Sequence, residues 1–91
     1  MPSHTVNLAN PTGLHARPAK VFAQAAAASG LEVRLTKGDT TVNARSVLSV
    51  LTLDCHRGDQ ITIDVEGDNA DSVLRELVAL VESGLGEQVG P

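Results

Sequence analysis

Hydrophobic and polar residues alternate in four stretches of the chain, which is the pattern of strands with one buried face. The first covers residues 5–9 and leads into a turn-forming Asn-Pro-Thr-Gly segment. Residues 31–36 and 40–44 also alternate, and the Lys-Gly-Asp turn at 37–39 that joins them indicates a hairpin. Residues 61–65 alternate with the branched side chains of Ile and Val on one face. The pattern therefore predicts four strands.

Two further segments predict helices. Residues 16–28 are rich in alanine, which has the highest helix propensity, and they end at Ser29-Gly30, where glycine suits the left-handed position after a helix. Residues 70–81 place apolar side chains at i, i+3, i+4, i+7, i+8 and i+11, the spacing of a one-faced amphipathic helix. An apolar run at 47–53, opened by Ser46, is too short for length or periodicity to decide between strand and helix.

The alternation also argues against an all-parallel sheet, because parallel strands are buried on both faces and are typically hydrophobic throughout. We therefore expect an α+β fold in which a four-stranded antiparallel sheet has helices on one face and solvent on the other. With the run after Ser46 taken as a short helix, the element order is βαββαβα. At 91 residues the chain has room for one core. We expect a single domain, residues 1–91, with its ordered part at about 4–84 and a frayed C-terminal tail.

The composition places any chemistry at the surface. The chain is 42% hydrophobic but only 1% aromatic, so Val, Leu, Ile and Ala must build the core with Phe22 as its single ring. Such a core leaves little volume for an enclosed substrate pocket. A net charge of −4, with no Lys/Arg run and neither Trp nor Tyr, argues against nucleic-acid binding.

Targeting signals are also missing from the sequence. No apolar stretch approaches the roughly 20 residues of a membrane span, and the N-terminus has neither the basic nor the apolar part of a signal peptide. A single cysteine, Cys55, excludes an intramolecular disulfide and a multi-cysteine zinc site, which suits a reducing compartment. We expect a cytoplasmic protein that does not contact membranes.

The segment Gly-Leu-His-Ala-Arg-Pro at residues 13–18 carries the candidate chemistry. Pro18 suits the first turn of a helix, where its missing amide has no partner, and this places the helix start at about His15 or Ala16. The unpaired amides of Ala16 and Arg17 then form an anion site whose partial positive charge favours a neutral imidazole at His15. Arg17 can add a planar guanidinium that binds phosphoryl oxygens. From spacing alone, a loop histidine before a helix-starting proline explains the segment equally well.

Two longer segments resemble one protein family. They are Asn-Pro-Thr-Gly-Leu-His-Ala-Arg-Pro-Ala at residues 10–19 and Val-Asn-Ala-Arg-Ser-Val-Leu-Ser-Val-Leu-Thr-Leu at residues 42–53. Both are similar to the histidine-containing phosphocarrier protein, HPr, of the bacterial sugar phosphotransferase system, and the similarity extends over residues 6–82. It implies an open-faced β-sandwich with three helices on one face, of which the second is a short helix after Ser46.

The resemblance implies a phosphoryl carrier, not an enzyme. His15 would take a phosphoryl group from phosphorylated enzyme I on Nδ1 and pass it to enzyme IIA domains, with Arg17 and the backbone amides of Ala16 and Arg17 stabilising it. No cofactor is implied, and we expect a monomer. In many Gram-positive members the serine matched by Ser46 is phosphorylated by HPr kinase/phosphorylase, which reduces carrier activity and signals through a transcription regulator. As a helix N-cap, Ser46 has a purely structural alternative role.

An apolar docking surface beside the histidine is a further implication of the resemblance. We assign Val47, Leu48 and Leu51 to it, together with Lys20. On spacing alone, Leu48 and Leu51 could equally lie in the core, and Lys20 could be solvated helix surface.

Two functions of other classes stay open at this point. One is a regulatory module, of signalling or nitrogen-branch type, that binds through the same surface without transfer; the presence of His15 favours transfer. The other is a small ferredoxin-like metal or ligand-binding domain. Asp54 stands where glycine is frequent in the family, and Asp54-Cys55-His56 is unusual there. Because adjacent side chains rarely converge on one metal ion and zinc needs three or four ligands, we expect no metal site. The nucleotide loop that a phosphotransferase enzyme would need does not occur.

Overall fold

The computed structural model of the chain describes residues 2–9 and 11–85, and its elements follow the predicted order. The strands are β1 (Ser3–Asn7), β2 (Glu32–Lys37), β3 (Thr40–Asn43) and β4 (Gln60–Glu66), and the helices are α1 (Ala16–Ala28), α2 (Val47–Thr52) and α3 (Ala70–Glu82). The predicted frayed tail lies outside the described residues. Within residues 2–9 and 11–85, no helix is long and apolar enough to cross a membrane.

The four strands form one antiparallel sheet in the order β1-β4-β2-β3, which confirms the predicted arrangement. Its register brings Val6 opposite Ile61 and Leu35 opposite Ile63, so the buried apolar side chains share one face. The opposite face is polar; the hydroxyl groups of two paired threonines on β1 and β4 lie 2.9 Å apart across it. The helices cover the apolar face.

Strand β1 begins nearer the N-terminus than the alternation predicted. It pairs with β4 over its whole length, from Ser3 opposite Asp64 to Asn7 opposite Gln60. Ser3 and His4 are polar, so the hydrophobic pattern does not extend to them, although their backbone groups still find partners in the sheet. Leu8 lies beyond the strand end, but its N–H still donates to the Asp59 carbonyl at 2.9 Å.

The core lies between the sheet and the helices, and it has the composition expected from the sequence. Phe22 is fully buried as its single ring. Helix α3 buries four side chains of the predicted apolar face and leaves two half-buried at the margin; the buried ones are Ala70, Leu74, Leu77 and Val81, and the half-buried ones are Val73 and Val78.

The apolar run after Ser46 is a helix, and its first residues show why. The Ser46 Oγ accepts a hydrogen bond from the Ser49 N–H at 3.3 Å, which is the N-cap interaction that starts a helix. Val50 is buried, and Leu53 is buried at the C-cap. Helix α2 packs against α1.

Candidate functional site

His15 is the N-cap residue of α1, as the proline spacing predicted. Its backbone is extended, with φ −115° and ψ 152°, and its side chain makes no capping hydrogen bond. The side chain is 38% exposed. Its Nε2, however, is shielded from solvent and has no hydrogen-bond partner among the described residues. The accessible part of the ring is therefore the part away from Nε2.

The backbone is strained next to this histidine. Ala16 has a φ of +48°, in the left-handed region that costs a residue with a side chain about 1 kcal/mol or more. Pro18 and Ala19 are buried directly behind it and hold the first turn of α1 against the core. The strained residue is one of the two whose amides were predicted to face a phosphoryl group.

A close contact between two loops positions His15. The Leu14 N–H donates to the Cys55 carbonyl at 3.1 Å, and both side chains are fully buried. Gly13 has a φ of +62°, and a Cβ there would lie 2.4 Å from the Cys55 carbonyl oxygen and 2.7 Å from the His56 Cα. Only glycine allows this approach, so the loop before α1 lies directly on the loop after α2.

The second loop brings a carboxylate and another imidazole to His15. Asp54 Oδ1 lies 3.4 Å from Nε2 of His15 and 3.5 Å from Nε2 of His56, and the two ring centroids are 5.1 Å apart. Asp54 has a φ of +51°, a conformation that suits glycine and that aspartate tolerates better than most residues. We expected that the side chains of Asp54 and His56 would not converge, and this was wrong. The expectation considered only their neighbouring positions in the chain and did not include the contact between their loop and the loop that carries His15.

Lys37 and Asp59 hold this second loop in place. Lys37 Nζ donates to the Asp54 carbonyl at 2.9 Å and lies 3.1 Å from Asp59 Oδ2. The same Asp59 oxygen accepts the His56 N–H at 2.8 Å, which, with the Lys37 ammonium, lowers the pKa of Asp59. The Asp59 carboxylate in turn raises the pKa of Lys37. Cys55 is fully buried between the two polar neighbours, and burial raises the pKa of its thiol.

The other predicted site residues lie on α1 and α2. Ala16, Arg17 and Lys20 are exposed on α1, and Arg17 has no ion-pair partner within the described part of the chain. Leu48 is 77% exposed, the one large hydrophobic side chain so exposed among the described residues.

Val47 and Leu51 are half-buried, and Leu51 packs against the core. Of the two alternatives for this helix, Leu48 therefore fits a docking patch, and Leu51 belongs partly to the core.

Sequence reasoning missed the placement of Asp54, His56 and Lys37. Asp54 and His56 flank the buried Cys55, and both side chains stay exposed on the same loop. Their closeness to His15 depends on the contact between loops that are distant in the chain, and local pattern does not contain that information.

Comparison with known proteins gives one family. The family model described as the phosphorylation site of the HPr component of the phosphotransferase system (PTS-HPr) matches residues 2–83. The phosphocarrier protein HPr of Streptomyces coelicolor is 41% identical over 88 residues, which are 96% of this chain and 95% of that protein. Among solved structures, HPr-C-His from Thermoanaerobacter tengcongensis aligns with a TM-score of 0.92 at 35% identity, covering 98% of this chain and 100% of that one. An HPr dimer from the same organism aligns with a TM-score of 0.75 at 36% identity, covering 96% and 100%.

Proposed function

The chain belongs to the HPr family of phosphocarrier proteins of the phosphotransferase system, and on that premise we propose that His15 carries the phosphoryl group on its Nδ1 atom. The family model covers nearly the whole described chain. The observation that carries the proposal is the orientation of the His15 ring at the N-cap of α1. Its Nε2 is shielded and lies beside Asp54, which leaves Nδ1 as the nitrogen for an incoming phosphoryl group.

The transfer step follows from this orientation. The lone pair of Nδ1 attacks phosphorus, a P–N bond forms, and the bond from phosphorus to the donor breaks with its electron pair leaving on the donor. Positive charge then develops on the ring, and the Asp54 carboxylate 3.4 Å from Nε2 compensates it electrostatically. In the discharge step, the acceptor's nucleophile attacks the same phosphorus and the electron pair of the P–N bond returns to Nδ1. The chain ends unchanged, as a carrier and not an enzyme.

Arg17 and the first amides of α1 are proposed to bind the phosphoryl oxygens. The Arg17 side chain is exposed two residues from His15, so its guanidinium is available for two parallel hydrogen bonds to phosphoryl oxygens. The amides of Ala16 and Arg17 belong to the first turn, where N–H groups have no partner within the helix. Neutral donors and a cation together stabilise the charge of the bound phosphoryl group.

Members of this family exchange phosphoryl groups with enzyme I and with enzyme IIA domains, and we infer that both dock on the surface around Leu48. An exposed leucine surrounded by polar groups is the arrangement that transient interfaces use. Val47 and Leu51 extend the apolar area, and we propose that Lys20, exposed on the neighbouring helix α1, adds a positive charge to the interface. We propose that transfer takes place in the cytoplasm and that the carrier acts as a monomer, since docking requires this surface to be uncovered.

We further propose that phosphorylation of Ser46 regulates transfer. The Ser46 hydroxyl already caps α2, so a phosphate there would meet the N-terminal end of a helix and would not disrupt it. It would place negative charge one residue from Val47 and two from Leu48, in the docking surface. A kinase of the HPr kinase/phosphorylase type would add the group, and a transcription regulator would read it.

Intact-mass measurement tests the proposed carrier role. The chain is incubated with phosphoenolpyruvate and enzyme I and measured under neutral and acidic conditions. We expect one added phosphoryl group that is lost in acid, and none in His15→Ala. His4→Ala is the matched control, because His4 lies on β1 in a groove lined by α3 residues, and it should be phosphorylated like the wild type. A wild-type chain that gains no mass would contradict transfer and would favour the regulatory binding module.

A further inference from the structure

The cluster of His15, Asp54 and His56 has the geometry of a metal site. One ligand atom from each of the three side chains lies within 4.8 Å of the others. The two distances from Asp54 Oδ1 to the imidazole Nε2 atoms are 3.4 and 3.5 Å. Zinc bonds of about 2.0–2.1 Å in a tetrahedron place neighbouring ligand atoms about 3.3 Å apart. Two of the three edges therefore already have nearly the length that a bound ion requires.

The third edge needs only a small rotation of His56. Its side chain is 62% exposed, so the ring can turn toward His15 without displacing core residues. Nε2 of His15 is a shielded polar atom with no hydrogen-bond partner in residues 2–9 and 11–85. A metal ion would give that atom the partner it lacks.

Asp59 prepares His56 as a ligand. Its Oδ2 lies 3.6 Å from Nδ1 of His56, on the opposite side of the ring from Nε2, and it is fixed by the His56 N–H at 2.8 Å and by Lys37 at 3.1 Å. A carboxylate on that side favours the proton at Nδ1 and leaves the lone pair on Nε2, which faces Asp54. At 3.6 Å the contact is longer than a hydrogen bond, but it puts a carboxylate on the side of the ring where metal-binding histidines have their outer-shell partner.

We propose that Nε2 of His15, a carboxylate oxygen of Asp54 and Nε2 of His56 bind one zinc ion, and that the bound ion slows phosphoryl transfer at His15. Two imidazoles and one carboxylate suit zinc and leave a fourth position open. The second half of the proposal rests on the proposed function of His15. Zinc takes the lone pair of Nε2, so the single proton of the neutral ring moves to Nδ1, and the lone pair that attacks phosphorus is no longer available there. It also engages the carboxylate that would otherwise compensate the charge developing on the ring.

Calorimetric titration of the metal-free, untagged chain with zinc chloride tests the binding. We expect one zinc ion per chain. Loss of an outer-shell partner typically weakens metal binding about 10–100-fold, and Asp59→Asn should weaken zinc binding by about tenfold. Asp54→Asn and His56→Ala each remove a direct ligand and should weaken it at least as much. His4→Ala removes a histidine outside the cluster and should bind zinc like the wild type. Urea unfolding of each variant without metal verifies that it is folded.

Nitrogen NMR of the imidazole rings provides a second readout. Zinc should shift the Nε2 resonances of His15 and His56 and leave those of His4 unchanged. Zinc affinity that is the same in His56→Ala, Asp54→Asn and the wild type would overturn the proposed site, and so would a shift at His4 in place of His15 and His56.

The effect on transfer is measured as the ratio of initial rates of phosphoryl acceptance with and without zinc, for each variant separately. We expect zinc to slow acceptance about tenfold or more in the wild type, equivalent to about 1.4 kcal/mol of barrier, and less than about twofold in His56→Ala. Equal rate ratios in the wild type and His56→Ala would overturn the proposal that zinc bound at this site slows transfer. No acceptance by the metal-free wild type would instead contradict the proposed function and leave the zinc titration to decide the binding site.

Discussion

Replacing Gly13 by alanine tests whether the contact between the two loops holds the site together. Gly13 has a φ of +62°, and the three atoms nearest to an added Cβ are all backbone atoms, the closest being the Cys55 carbonyl oxygen at 2.4 Å. Backbone cannot rotate away as a flexible side chain can, so the loops must separate. The separation breaks the hydrogen bond from the Leu14 N–H to the Cys55 carbonyl, which is 3.1 Å long and lies between fully buried residues.

The cost can be estimated from these two effects. The left-handed backbone conformation costs alanine about 1 kcal/mol, and the lost buried hydrogen bond with its unpaired groups costs about 2 kcal/mol. A loss of about 3 kcal/mol lowers the melting temperature of a domain of this size by about 12–24 °C. Phosphoryl acceptance by the folded fraction should fall as well, because Asp54 and His56 move away from His15.

Gly38→Ala is the matched control for this prediction. Gly38 has nearly the same φ, +60°, but an added Cβ there would meet nothing within 4 Å. Only the conformational cost of about 1 kcal/mol remains, which corresponds to about 4–8 °C. Urea and thermal unfolding give the free energy of unfolding and the melting temperature of both variants, and the difference between the variants measures the contribution of the loop contact. Equal stabilities for Gly13→Ala and Gly38→Ala would refute the reasoning.

Three further substitutions separate core, regulation and docking. Phe22→Ala removes the fully buried ring and should cost about 3–5 kcal/mol in urea unfolding; a loss below about 1 kcal/mol would mean that the core is not packed around this ring. Ser46→Asp should slow transfer from enzyme I while the melting temperature stays nearly unchanged, since aspartate also caps helices; an unfolded variant would refute the charge argument. Leu48→Asp should also slow that transfer, with a stability change within about 0.5 kcal/mol because the side chain is 77% exposed, and unchanged transfer rates would place the docking surface elsewhere.

Periodicity was sufficient to predict most of the fold. Alternation identified all four strands, and the spacing from Ala70 to Val81 identified α3 with its buried face. The run after Ser46 was ambiguous because seven residues contain too few periods, and in the structure the Ser46 cap, which accepts the Ser49 N–H, starts a helix there. The start of β1 was missed because polar residues can be strand residues when a neighbouring strand satisfies their backbone.

The candidate site was only half visible in the sequence. Arg17 precedes Pro18 and His15 lies three residues before it, so the proline that fixes the helix start indicates both as candidates, and the family resemblance supplies their expected roles. Asp54 and His56 reach His15 through the tertiary contact that Gly13 allows, and no local pattern encodes a contact of that kind. Asp54 has a left-handed backbone conformation, which glycine adopts without a steric cost, and this explains why glycine is frequent at this position in the family. This chain has a carboxylate there instead.

Locating the phosphoryl group on the ring determines whether Nδ1 of His15 is the acceptor atom. Nitrogen and phosphorus NMR of the chain after phosphorylation by enzyme I identifies the modified histidine and the modified nitrogen. We expect phosphorus on Nδ1 of His15, with a proton on Nε2 beside Asp54. Phosphorus on Nε2, or on His4 or His56, would contradict it.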